Sequence, residues 1–259
     1  MKKYTNKQLE ENYNKFIAAV NSLFEGERLE KLLHMYSMEE LGPNLMLQPA
    51  SGNIGYHNAY DGGYIDHIMN VVNNSIRMMK LYEDVGGKID FTRDELLFAA
   101  FHHDLGKLGK KGVLNYLPNK SEWHIKNQGK IYTNNPELPF MDLTDRTFLT
   151  LSDYGLKHTS NEWFGIRLTD GMYDEGNIQY LKSYAPEKKL KTNMPLILHQ
   201  ADMATTRIEY EDWIRDNNKE EIKVQGRVEN IKKAVTMDET SEQLTQKSKD
   251  LFDELFGDK

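Results

Sequence analysis

Eight histidines and no cysteine set the chemistry open to this chain. Without thiolates, disulfides, iron–sulfur clusters and cysteine zinc sites are excluded, and any metal is held by imidazole and carboxylate. His103 and Asp104 are adjacent at the end of the apolar run Leu96-Leu97-Phe98-Ala99-Ala100-Phe101, which implies burial on most sides. A buried ionised carboxylate is costly unless it is paired or bound to a metal. Gly106 follows closely, so the helix ends there and both side chains can face a cavity. His67 lies in a second apolar helix, and His199 and Asp202 share one face of a third at i, i+3 spacing. Separate helices that each bring one or two such ligands inward are how metal sites in helical bundles are built.

The elements that must position these residues read as almost entirely helical. Leu9, Tyr13, Phe16, Ile17, Val20 and Phe24 recur at helical spacing, then Leu29, Leu32, Leu33 and Tyr36, then Ile65, Ile68, Met69, Val72, Ile76 and Met79. Thr92 and Glu95 form a capping-box pattern that opens a short helix ending at His103. Two short helices follow, one ending near Gly155 and one running from Ser160 to about Asp170. Pro195, behind the cap candidates Thr192 and Asn193, opens a helix expected to reach about Arg215. Two polar amphipathic segments, Val224–Met237 and Thr240–Phe256, finish the chain. The stretches from Gly42 to Gly63 and from Gly106 to about Met141 read as irregular, with Val113–Tyr116 and Lys130–Thr133 able to make at most one small hairpin.

Three segments in this order, Gly62-Gly-Tyr-Ile-Asp-His67, Phe101-His-His103-Asp104-Leu-Gly-Lys107 and His199-Gln-Ala-Asp202, resemble the HD superfamily of metal-dependent phosphohydrolases. The likeness covers about residues 50–215, and the lead Tyr56-His-Asn-Ala-Tyr60 is similar to members that act on nucleotides or RNA ends. The resemblance implies an all-α, HD-type helical bundle with a long loop near the site. One domain, 1–259, would then carry N-terminal helices over 5–40 and C-terminal helices over 222–256. It also implies that His67, the pair His103 and Asp104, and Asp202 hold one divalent ion, with a second ion left open.

Two imidazoles and two carboxylates leave about two open positions on an octahedral ion. Nitrogen and oxygen ligands without sulfur suit Mn, Fe, Co, Ni or Zn better than copper or a purely oxygen-bound Mg, and we expect Mn. The open positions would take a water and a phosphoryl oxygen, and the ion would lower the pKa of that water. Asp104, Lys107 and His124 are the catalytic candidates. Lys107 would hold a phosphate oxygen at the mouth, and Lys110 and Lys111 extend the basic run as solvated or auxiliary phosphate-binding residues. His124 is expected to line the site as a ligand or as an acid for the leaving oxygen; His158 is either a second-metal ligand or part of a helix start. Asp170 belongs to a turn or approaches the metals. His102 reads as core or as a support of the site, and His34 and His57 as structural or surface residues, with His57 able to hydrogen-bond near the site.

The balance of 33 basic against 40 acidic side chains, a net charge of −7, argues against bulk binding to nucleic acid or anionic membrane. No stretch reads as a signal peptide or a membrane span, so a cytoplasmic location is expected. Phosphate-loop, dinucleotide-binding and acyl-hydrolase elbow motifs are missing. The leading expectation is a metal-dependent phosphohydrolase of a small anionic nucleotide, above all a (deoxy)nucleoside 5′-monophosphate. A deoxynucleoside triphosphate or a cyclic or signalling nucleotide would use the same site. A di-iron oxygenase of HD type and a metal- or nucleotide-binding module without turnover are the readings from other classes. The terminal helices either cap the bundle or carry a homodimer contact.

Overall fold

A computed structural model of the chain describes residues 3–54, 56–183 and 185–217. The described residues up to 213 form one compact unit; beyond it only the end of the last helix is described. The amphipathic segments expected over 222–256, and with them the dimer contact they would carry, lie outside the described residues.

The described chain is mostly helical. In order run α1 (Asn6–Leu23), α2 (Gly26–Met35), α3 (Gly42–Leu47), α4 (Gly63–Asp84) and α5 (Arg93–His102). After them come β1 (Tyr116–Pro118), α6 (Glu122–Gln128), β2 (Tyr132–Asn134), α7 (Leu143–Asp153), α8 (Ser160–Arg167), α9 (Ile178–Leu181) and α10 (Met194–Asn217). Among the described residues no helix is long and apolar enough to cross a membrane.

Helix α5 is the centre. Leu96 through His102 are all fully buried, so this helix has no polar face and must be wrapped on every side. Its capping box forms as the sequence predicts: the Thr92 hydroxyl accepts from the Glu95 amide, and the Glu95 carboxylate accepts from the Thr92 amide. Helices α4 and α8 pack directly on α5, and Phe16 and Phe24 of the α1 region meet Phe101 edge to face.

The two regions that read as irregular contain more order than glycine and proline content suggests. Gly42–Leu47 forms α3, with Pro43 in its first turn, where a missing amide proton costs nothing. The hairpin exists but is displaced: Tyr116 pairs with Asn134, Leu117 with Thr133 and Pro118 with Tyr132, antiparallel. Its connection holds α6, capped by Ser121. Short segments of few residues carry too little periodicity to show their register.

Candidate metal centre

Three helices converge on one point. His67 comes from the buried face of α4, His103 is the residue that ends α5, and Asp202 lies on α10. Asp104 starts the 3₁₀ turn Leu105–Leu108 that follows α5 and carries Lys107. That turn needs Gly106, because a Cβ there would lie 2.1 Å from the Leu143 carbonyl oxygen where α7 begins. The glycine lets the turn press against α7, which helps fix Asp104 and Lys107.

His67 Nε2 lies 3.6 Å from Asp104 Oδ2 and 3.1 Å from Asp202 Oδ1; the corresponding distances from His103 Nε2 are 3.5 and 3.8 Å. Nitrogen and oxygen ligands about 2.1 Å from a shared ion stand roughly 3.0–3.4 Å apart in octahedral or tetrahedral geometry. The four imidazole–carboxylate distances lie near that range or slightly above it, and Asp202 approaches both imidazoles from outside the three-residue group. His67, His103 and Asp104 alone already form a group able to hold a metal ion.

The protonation pattern fits the same purpose. His67 Nδ1 donates to Glu209 Oε2 at 2.9 Å, and His103 Nδ1 donates to the Ala100 carbonyl at 2.9 Å. Both partners can only accept, so each Nδ1 carries hydrogen, and Nε2 is the atom left for a ligand. Both Nε2 atoms are buried and face the Asp104 and Asp202 carboxylates. Glu209 is itself buried and held by Asn70 of α4, whose amide donates to Oε1 at 2.8 Å. One turn away, Asn74 donates to the Thr205 hydroxyl at 2.8 Å, so a polar seam joins α4 to α10 behind the site. A carboxylate behind a ligating imidazole fixes its tautomer and raises its basicity. Glu209→Ala is expected to weaken Mn²⁺ binding about 10–100-fold, measured by competition with a chelator. An unchanged affinity would remove Glu209 from the site.

Burial opposes charge on His67, but the Glu209 and Asp202 carboxylates outweigh it and raise its pKa to about 10. Burial likewise opposes charge on Asp104 and Asp202. Lys107 and the two imidazoles hold Asp104 below its usual range, and the His67 hydrogen bond and the imidazole charges do the same for Asp202. In the metal-free protein His67 thus carries a second proton at neutral pH, on the nitrogen that would meet the ion. A raised pKa means this proton is present below about 10 and lost above it. Metal must displace it, so Mn²⁺ affinity should rise roughly tenfold per unit from pH 6 to pH 8, with about one proton released per ion. Calorimetry in two buffers of different ionisation enthalpy counts that proton; no release would contradict the arrangement.

His67, Asp104 and Asp202 line a cavity of about 400 Å³, whose walls also include Tyr56, His57, Asp170, Tyr173, His199 and Met203. Lys107 also lines it, with its ammonium 2.6 Å from Asp104 Oδ2. His57 packs its ring 4.5 Å from that of His67, and both of its ring nitrogens are buried without partners. Asp170 stands at the rim, its pKa raised by burial and by the charges of Asp104 and Asp202. His102 is fully buried, donates from Nδ1 to the Phe98 carbonyl at 2.6 Å and stacks on Tyr36, a core role. Its pKa, lowered by burial to about 3, keeps it neutral.

Three candidate residues lie outside the cavity: the expectation for His124 fails, while His158 and Lys110 take their helix-start and solvated alternatives. His124 lies exposed on α6, bonded through Nδ1 to Ser121 Oγ at 2.7 Å, and does not line the cavity. His158 is exposed just before the α8 cap and packs against Phe148. Position in the chain between the His-Asp pair and the last Asp does not bring either into the cavity. Lys110 is exposed, its backbone pairs with Val113, and it lines a separate hollow beside Glu40 and Tyr154. Lys111 is bound there to Glu40 at 2.6 Å.

The sequence does not single out Glu209 or Tyr173, and Tyr56 enters it only as the start of the lead before Gly62. Glu209 had a signal: it follows Asp202 by seven residues, two helical turns, and so repeats on the same face. No protein-family model, curated protein or solved structure matches this chain.

Proposed function

We propose that this chain is a metal-dependent phosphohydrolase of HD type that acts on a nucleotide, most simply a (deoxy)nucleoside 5′-monophosphate. The observation that carries the reading is the convergence of His67, His103, Asp104 and Asp202 at ligand spacing beside the Lys107 ammonium. His67, His103, Asp104 and Asp202 would hold the ion, Mn²⁺ by preference among Mn, Fe, Co, Ni, Zn and Mg. When bound, such an ion polarises a phosphoryl oxygen and brings a water toward its hydroxide form near neutral pH. Lys107 meets a non-bridging phosphate oxygen, and Glu209 holds His67 in place.

The test is phosphate release from nucleoside mono-, tri- and cyclic phosphates by the Mn²⁺-loaded full chain, with oxygen excluded. Release from a 5′-monophosphate is the expected result. A fully metal-loaded protein that releases phosphate from none of them, or turns over only with oxygen, would overturn the proposal.

A further inference from the structure

Large apolar side chains left exposed singly need no explanation, but several converging on one opening do. Tyr56 is 61% exposed, Tyr173 84% and Met203 48%, and all three line the mouth of the cavity that has His67, Asp104 and Asp202 at its floor. They come from three separate places: the loop before α4, the turn after α8, and α10. The floor is the opposite in character, with Asp104, Asp202 and Lys107 side chains only 15%, 19% and 12% exposed.

The turn bearing Tyr173 is fixed from below. His199 donates from Nδ1 to the Thr169 carbonyl at 2.6 Å, and its ring lies against Gly171, where a Cβ would come within 2.6 Å of a ring carbon. Gly171 has φ +55°, a conformation glycine adopts without strain. The Tyr173 ring then tilts against His199 at 6.4 Å between centroids. His199 thus supports the rim, and because it sits one turn before Asp202 on α10, rim and floor share one rigid element.

We propose that Tyr56, Tyr173 and Met203 receive the base of a nucleoside monophosphate whose phosphate lies at the floor. This rests on the phosphohydrolase reading above. Lys107 is the one ammonium lining the cavity among the described residues, and the rim adds a carboxylate, Asp170. A single phosphate therefore goes down and an uncharged ring stays up; further phosphates or a polynucleotide backbone at the mouth would meet aromatic surface and a carboxylate. Stacking on tyrosine tolerates every base, because each has a π-face. The two tyrosines thus select nucleotides over other phosphate esters and contribute little to the choice among bases.

Two substrates separate the proposal from its premise: a nucleoside 5′-monophosphate, and ribose 5-phosphate, which has the same phosphate and sugar without a base. Tyr173→Ala and Tyr56→Ala should each lower kcat/KM for the nucleotide about 5–150-fold, the range for loss of one base-stacking ring, mainly through KM. Ribose 5-phosphate hydrolysis should change less than about twofold, and Tyr173→Phe should keep nucleotide activity. Equal losses on both substrates, or no loss on the nucleotide, would overturn the base site while leaving the hydrolase standing. Should the wild type hydrolyse neither substrate, the hydrolase reading falls. The base site is then read by equilibrium dialysis of a nucleoside 5′-phosphonate, which must bind the wild type more tightly than Tyr173→Ala.

Discussion

Asp104→Ala should lose its divalent ion and, with it, phosphate release by 10³-fold or more. Supplying the polarising charge and the activated water is worth several kcal/mol, and each ~1.4 kcal/mol is tenfold in rate. Asp104 Oδ2 does more than face two imidazoles at 3.5 and 3.6 Å; it also holds the Lys107 ammonium at 2.6 Å. Deleting the carboxylate leaves Lys107 and a protonated His67 facing one another without the anion between them. Metal affinity should fall further than in Glu209→Ala, which removes only a support. The fold should survive, since α5 is held by Leu96, Leu97, Phe98 and Phe101, none of which touches solvent. Metal analysis after dialysis, phosphate-release kinetics and far-UV dichroism check the three parts. Full metal occupancy in a folded Asp104→Ala protein would sink the site.

What the chain's pattern reveals about this centre follows from how each residue is held. His67 lies on one apolar helix and His103 at the end of another, so periodicity places them inside; Asp202 is legible from its i, i+3 spacing to His199 and from the resemblance. Lys107 is legible because a turn after a helix end keeps i, i+3 neighbours together, here Asp104 and Lys107. Glu209 escaped notice because α10 carries polar residues around much of its surface and gives the eye no inner stripe. Tyr56, His57 and Tyr173 sit in loops and a short turn, where direction depends on tertiary contacts such as Gly171 against His199. His124 fails for the opposite reason, and with it the ligand alternative of His158: residue type and order in the chain suggest ligands, but α6 and the α8 cap settle their direction locally, toward Ser121 and Phe148. Helix existence was similarly legible, and helix α3 and the strand register were not, because six and three residues hold less than two turns or two pleats of pattern.

Lys107→Ala separates a phosphate-handling site from one that only stores a metal. The Lys107 side chain is 12% exposed, and its pKa is held above the ordinary lysine value, since Asp104 outweighs the cost of burial. It is therefore a fixed positive charge at neutral pH, already ordered before any substrate arrives. Removing one preorganised electrostatic group of this kind costs roughly 10²–10³-fold in rate. Metal binding should move the other way. Lys107 shares Oδ2 of Asp104 with the two imidazole nitrogens, so it competes for the oxygen a divalent ion would use and repels that ion. Without it, Mn²⁺ should bind as tightly as in the wild type or more so. Slower phosphate release with undiminished metal affinity is the signature of a group that works on substrate. A site in which Lys107 merely stabilised the apoprotein would keep its rate, and a parallel loss of metal would mean that the lysine orders the ligands instead. Running the pair of measurements with Mn²⁺ and without oxygen also meets the oxygenase alternative: its extra ligands would have been His124 and His158, both exposed and outside the cavity. Phosphate release that persists anaerobically, and falls 10²–10³-fold in Lys107→Ala, fits hydrolysis alone.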